Sequence, residues 1–297
     1  MPHISVCVCT YKRPELLPEL LNELACQETQ GRFTFDVVVA DNDALESARP
    51  VVDHWVSTGS RMAVAYCVDP QQNIALARNA AIKHATGDFV AFFDDDQLPI
   101  RQWLLTLYLA CERYGVDGVL GPVKPRFETP PPSWVVAGRF CERPTYDTGF
   151  VIDWRKGRTG NVLLKREVFD GVDVPFLPEF LTGEDQDFFR RMIDAGGEFV
   201  WCNEAVAYEI TPRFRWSLRF MLRRSLLRGQ VSILQHGGRA SVAKSVVAVP
   251  AYCLVLPFLL PTGYHRFVKY LVKLCDHTGR LLAVAGIHLV NENYVTK

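Results

Sequence analysis

No Cys-x-x-Cys pair occurs in the 297-residue sequence, and its nine cysteines stand singly, most of them in apolar runs. That argues against a zinc knuckle or a disulfide framework. The cysteines read instead as small hydrophobes, and reduced thiols suit a cytosolic compartment. Gly-x-Gly-x-x-Gly and Gly-x-x-x-x-Gly-Lys-Ser/Thr are both absent, which disfavours a dinucleotide-binding fingerprint and a P-loop. Net charge is lacking too: 33 bases offset 33 acids. The balance is not local, however. Between Thr211 and Cys275 there are eleven Lys/Arg and no Asp or Glu. No nucleic-acid partner is expected. The start of the chain has no charged region followed by an apolar one, so no signal peptide is expected. The longest apolar run, Val246 to Leu260, falls short of the roughly 20 residues of a spanning helix and contains Pro250 and Pro257.

What is present centres on Asp88-Phe89-Val90-Ala91-Phe92-Phe93-Asp94-Asp95-Asp96. The apolar run is too short for a helix and reads as a buried strand of a parallel sheet. Three carboxylates with no base among them would be prohibitive inside such a strand. At its carboxyl end they sit where open α/β folds place ligands. A hard cation such as Mg²⁺ or Mn²⁺ relieves their repulsion through one or two carboxylates, leaving its other positions to water and phosphate. The plain alternative is a solvated acidic turn.

Strands are expected at Ile4–Cys9, Val37–Ala40, Ala63–Val68 and Gly118–Val123. Helices are expected after Pro14, at 45–56, at 74–85 and at 101–114. This alternation predicts an α/β fold, with a mostly parallel sheet and helices on both faces. Thr10 to Arg13, Asp41 to Asp43 and Asp94 to Asp96 each follow a strand, so they converge at one sheet edge. Trp134, Phe140, Tyr146, Phe150 and Trp154 lie in an irregular middle stretch, either as platforms for sugar rings or as packing under loops. A further strand is expected at Gly160–Lys165. A second acidic knot, Gly183-Glu184-Asp185-Gln186-Asp187, opens a helix. Acids suit a helix start, although three in four residues exceed what a cap requires. The tail begins with a basic amphipathic helix bearing Arg219, Arg223, Arg224 and Arg228, which suits a membrane surface or phosphate, or else a solvated face. The run 246–260 reads as a partly inserted segment or a buried hairpin.

Ser5 to Pro14, Val39-Ala40-Asp41-Asn42, Asn73-Ile74-Ala75-Leu76-Ala77-Arg78-Asn79, Asp94-Asp95-Asp96 and Gly183-Glu184-Asp185 occur in that order. Together they resemble the family 2 glycosyltransferases of GT-A (Rossmann-like) fold, over about residues 4 to 192. Asp94-Asp95-Asp96 matches that family's DxD motif and Glu184-Asp185 its ED motif. Asp41-Asn42-Asp43-Ala44, Gly121-Pro122-Val123 and the Arg-rich tail look most like the bacterial glucosyltransferases of exopolysaccharide assembly, of the succinoglycan type.

The resemblance implies a catalytic domain over 1–211, with a nucleotide half 1–123 and an acceptor half 124–211, followed by a helical membrane-associating region over 212–297. It implies a UDP-sugar donor, UDP-glucose first, bound through Thr10, Tyr11, Arg13, Asp41, Arg78, Asp94 and Asp95. Asp41 would receive the uracil N3–H. Asp96, with Asp94, would hold Mg²⁺ or Mn²⁺. Asp185 would be the general base of an inverting displacement, with Glu184 and Trp134 toward the acceptor. The acceptor would be a polyprenyl-diphosphate-linked saccharide at the cytoplasmic face of a bacterial inner membrane, with Arg223 and Arg224 toward its diphosphate or anionic headgroups. The tail departs from the polymerising synthases: Arg213-Phe214-Arg215-Trp216 lacks the Gln of their QxxRW signature, which favours transfer of a single sugar. Two rival enzymes fit less well. A sugar-phosphate nucleotidyltransferase wants a Gly-rich loop after the first strand, and Thr10 to Pro14 has no Gly. An aspartyl phosphatase wants a Thr where Leu98 stands. A non-catalytic scaffold has no need to keep Asp94, Asp96 and Asp185 together.

Overall fold

The computed structural model describes residues 1–180, 182–236 and 239–287. By internal packing the chain divides into two compact units: 1–124 with 143–210, and 125–142 with the chain from Thr211 onward.

The first unit is built on a seven-stranded sheet in the order β3-β2-β1-β4-β8-β6-β9. Its strands are β1 (His3–Thr10), β2 (Thr34–Asp41), β3 (Val64–Val68), β4 (Phe89–Asp94), β6 (Gly118–Leu120), β8 (Asn161–Lys165) and β9 (Phe199–Trp201). β1 lies parallel to β2 and β4, β2 to β3, and β6 to β9. Only β8 runs against its neighbours, antiparallel to β4 and β6. The near-continuous apolar runs of β1, β2 and β4 follow from coverage on both faces. Side-chain alternation divides them cleanly. Val6, Val8, Val37, Val39, Ala91 and Phe93 point to one layer, with Leu17, Leu20 and Leu24 of α1 (Leu17–Ala25) and Trp103, Leu104 and Leu107 of α4 (Trp103–Tyr114). Cys7, Val38, Ala40, Val90 and Phe92 point to the other, with Ala75 and Ala81 of α3 (Ile74–His84) and Phe188 and Phe189 of α6 (Glu184–Asp194). The expected helix at 45–56 is the shorter α2 (Arg49–Ser57).

A second sheet has the order β5-β10-β7, from Gln97–Pro99, Ala207–Thr211 and Val123–Phe127. β5 has no sequence signature: it is three residues long and ends in proline. It pairs antiparallel with β10, Leu98 opposite Tyr208.

The second unit holds α5 (Ser133–Gly138), α7 (Leu218–His236), α8 (Arg239–Leu259) and α9 (Tyr264–Val284). The expected acceptor half 124–211 is therefore not one piece. Its stretch 125–142 packs with the C-terminal helices, where the Trp134 ring meets Tyr264 edge-on at 5.4 Å and Phe140 at 5.5 Å. α7 and α9 cross closely. A Cβ at Gly229 would strike the Asp276 carbonyl oxygen, and one at Gly279 that of Leu226. Arg280 joins all three long helices, donating to Ser232 Oγ (2.9 Å), Ser245 Oγ (3.2 Å) and Asp276 Oδ2 (3.3 Å).

The run 246–260 is not a hairpin. All of it but Leu260, which opens a 3-10 turn, belongs to one continuous helix that includes Pro250 and Pro257. Counting its small polar first turns, the stretch Ser241–Thr262 is 22 residues long, and an 18-residue window within it has a mean hydropathy of 1.9 with only 11% of that window buried in the protein. The apolar run is shorter than the helix because Lys244 and Ser245 precede it, and a helix end tolerates both. By length and composition this helix could cross a membrane.

Candidate active site

The carboxyl ends of β1, β2 and β4 lie side by side. Thr10 stands opposite Asp41, and Cys9 opposite Asp94. The sheet order reverses at β1, with β2 on one flank and β4 on the other, so this edge is a topological switch point.

Of the three aspartates after Phe93, the middle one is structural. Asp95 is 1% exposed; it accepts from Thr10 Oγ1 at 2.8 Å and from Arg13 Nη2 at 2.5 Å. Burial, only partly opposed by Arg13, pushes its carboxyl up to about 7. Asp95 thus braces Thr10 and Arg13 from behind, with both oxygens engaged. Arg13 also reaches Asp96 Oδ2 at 3.1 Å. The Asp96 backbone is held by β10, Ile210 N–H donating to its carbonyl at 2.7 Å. Asp94 is half-buried and accepts from Gln97 Nε2 at 3.0 Å. Desolvation first and the neighbouring Asp96 second raise it to about 6, with Arg78 and Arg143 pulling the other way.

Arg78 joins the two acidic clusters. It comes from α3, whose start is fixed by Asn73 accepting the Ala75 N–H at 2.9 Å. Its Nη1 donates to Glu184 Oε1, both side chains being at least nine-tenths buried. Against desolvation, the negative charges of Glu184, Asp94 and Asp185 raise its pKa, so the guanidinium stays charged. Losing one partner of such a buried pair typically costs ~3–5 kcal/mol, because the other charge is stranded. Asp185 follows Glu184 at the start of α6. Its carboxyl is raised by burial and by Glu184, and lowered by Arg78, Arg158 and the Gln186 N–H at 2.7 Å. The third acid of the knot is not available: Asp187 is paired to Arg190 (2.6 Å) and Arg191 (2.8 Å) on its own helix.

Asp41 is fully buried. It accepts from the Asp43 N–H (3.0 Å), the Ala48 N–H (2.8 Å) and the Tyr66 hydroxyl (2.8 Å), so in this structure its carboxylate organises the loop after β2 and shows no surface to a base. Tyr11 is half-buried, with Lys12 Nζ 5.2 Å from its ring centre. Trp134, Arg223 and Arg224 belong to the second unit. Arg228, expected with them toward a membrane surface or phosphate, is paired with Asp276 at 2.7 Å.

Two contributors were missed in the sequence, Arg158 and Gly160. Because β8 is antiparallel, its first residue Asn161 pairs with Phe93, and the residues before it arrive at the same edge as Asp94. A Cβ at Gly160 would collide with Asp94 Oδ2, so this glycine lets the carboxylate lie against backbone.

Asp94 and Asp96 offer only hard oxygen donors, and their mutual repulsion is part of what raises Asp94. Among the described residues no three His, Cys, Asp or Glu side chains form a ready cage. Such a donor set fits Mg²⁺ or Mn²⁺ held by one or two carboxylates, and not a closed all-protein site.

Residues 5–170 match the family described as Glycosyl transferase family 2. Succinoglycan biosynthesis protein ExoM of Rhizobium meliloti (strain 1021) is 37% identical over 299 residues, 98% of this chain and 95% of its own. Among solved structures, S. aureus TarS 1-349 in complex with UDP-GlcNAc aligns with a TM-score of 0.56 at 16% identity, covering 97% of this chain and 93% of that one. Mannosyltransferase PcManGT from Pyrobaculum calidifontis, in complex with GDP-Man and Mn2+, aligns with a TM-score of 0.64 at 18% identity, covering 95% and 87%. The sheet is thus that of the GT-A fold. More narrowly, the chain belongs to glycosyltransferase family 2.

Proposed function

We propose that this glycosyltransferase moves one sugar from a UDP-sugar, UDP-glucose first, to a lipid-linked saccharide during exopolysaccharide assembly, with inversion at the anomeric carbon. The observation that carries this reading is Arg78, which is ion-paired with Glu184 and feels the charges of both Asp94 and Asp185, and so links two acidic clusters ninety residues apart. The kinship with ExoM supports the exopolysaccharide setting, and TarS is a GT-A relative that binds UDP-GlcNAc.

Asp185 takes the proton of the acceptor hydroxyl as that oxygen attacks the anomeric carbon. Its raised carboxyl brings it toward the pH at which it must accept a proton. Glu184 fixes Arg78, and Arg78 holds the Asp185 carboxylate in its charged form while remaining able to meet donor phosphate oxygens. Thr10 and Arg13, braced by Asp95, position the strand-end loop beside the donor. Asp96, with Asp94, would hold Mg²⁺ or Mn²⁺, which when bound supplies Lewis-acid stabilisation of the departing UDP. No covalent enzyme intermediate is required. In the second unit, Arg223, Arg224 and the exposed apolar face of α8 (Val247, Leu254, Phe258) rest on an anionic cytoplasmic membrane surface.

The donor assignment is tested by thermal shift with a panel of sugar nucleotides and Mn²⁺. UDP-glucose is expected to raise Tm more than GDP-mannose or UDP alone. Equal shifts for uridine and guanosine donors would remove the UDP assignment.

A further inference from the structure

The turn entering β8, Trp154-Arg155-Lys156-Gly157-Arg158-Thr159-Gly160, spans the distance between the two acidic clusters. Gly160 abuts Asp94, and the Arg155 carbonyl accepts from Gln186, the residue after Asp185, whose carboxylate the Arg158 charge favours. The turn is seated firmly. Asp153 caps it through the Arg155 N–H at 2.9 Å, Gln186 of α6 donates to the Arg155 carbonyl at 2.9 Å, and Gly157 lies against the Phe189 ring with no room for a Cβ. Arg155 is neutralised by Asp153 at 3.2 Å. Its two neighbours are not: among the described residues no carboxylate comes within ion-pair distance of Lys156 or Arg158. Lys156 Nζ instead lies over the rings of Phe150 (5.3 Å) and Tyr146 (5.8 Å). Arg158 is exposed and directs Nη1 to the carbonyls of Gly157 (2.5 Å) and Arg155 (3.3 Å), which leaves other donors of its fork for a ligand. Thr159 is 1% exposed, yet its Oγ1 has no hydrogen-bond partner.

A preorganised turn with two unneutralised cations and an unpartnered buried hydroxyl, beside a carboxylate base, is built for an anion. Planar guanidinium groups suit phosphate oxygens, and the position beside Asp185 assigns that phosphate to the acceptor, since the donor's lies with Arg78 and the metal carboxylates. We propose that Arg158 and Lys156 bind the diphosphate of a glycosyl-diphosphate acceptor and so bring its sugar hydroxyl to Asp185. This rests on the reading of Asp185 as the acceptor's base. It places recognition of the diphosphate on the catalytic unit, leaving Arg223 and Arg224 to lipid headgroups.

The test is calorimetric titration of the full chain with geranyl diphosphate, the donor site being filled by UDP and Mn²⁺. Wild type is expected to bind. Arg158→Gln weakens binding about tenfold, the loss of one charge-assisted pair, Arg158→Lys restores part of it, and UDP affinity is unchanged in both. Absence of wild-type binding, equal affinity in Arg158→Gln, or a parallel loss of UDP affinity overturns the proposal. The acid limb of the rate profile provides a second readout: without Arg158 it moves to higher pH, which a purely structural role would not cause. Geranyl diphosphate binding that depends on Arg158, in a protein that turns over no sugar nucleotide, would sink the transferase reading and leave the anion site standing.

Discussion

Each carboxylate at the sheet edge is set apart by its partners. Asp95 and Asp187 are absorbed by arginines and Asp41 by backbone N–H groups and Tyr66, and the proposed chemistry draws on Asp94, Asp185 and Asp96, the last of which also meets Arg13. Gly160 tests the first of these. In Gly160→Ala the new methyl displaces Asp94 Oδ2, and Mn²⁺ affinity, measured by metal-dependent UDP binding, should fall about ten- to a hundredfold, the usual effect of disturbing a ligand's support. Asp185 is tested by pH. An acid whose pKa is raised loses its base form as pH falls, so the rate drops on the acid side at a midpoint above the ordinary carboxylate value of about 3.9. Glu184→Gln removes a like charge and frees Arg78 for Asp185, so the midpoint should move to lower pH. A midpoint that does not move would deny Glu184 its influence.

At the scale of elements, strands 1, 2 and 4 could be read in advance because burial on both faces leaves them as unbroken apolar runs. The acids and polar residues after them were legible for the same reason. What could not be read was direction. Gly160 to Lys165 was recognisable as a strand, but nothing in Asn-Val-Leu-Leu-Lys says that it runs antiparallel, and that reversal is what brings Arg158 and Gly160 to the edge. β5 was hidden by its brevity and Pro99. In the tail, Pro250 suggested a break, yet the helix continues through it, and its exposed side carries Leu254 (72%) and Phe258 (76%). Arg223→Glu with Arg224→Glu should release the protein from phosphatidylserine-containing vesicles and not alter its binding to neutral ones. Leu254→Asp with Phe258→Asp should weaken binding to both, with Tm nearly preserved because these side chains are mostly exposed. Unchanged sedimentation with vesicles in both double variants would remove the membrane role.

For the molecule as a whole, sequence order marked a boundary near residue 211, but the grouping of 125–142 with the C-terminal helices depends on packing between residues far apart, such as Trp134 and Tyr264. Within the first unit, the proposed reaction turns on one proton acceptor and one carboxylate pair suited to a metal, flanking a single sugar bond. The decisive measurement is single-turnover transfer from UDP-glucose with Mn²⁺, comparing wild type and Asp185→Asn. The account predicts a rate about 10²- to 10⁴-fold lower in the variant, with UDP-glucose affinity intact. Equal rates in the two proteins would contradict it.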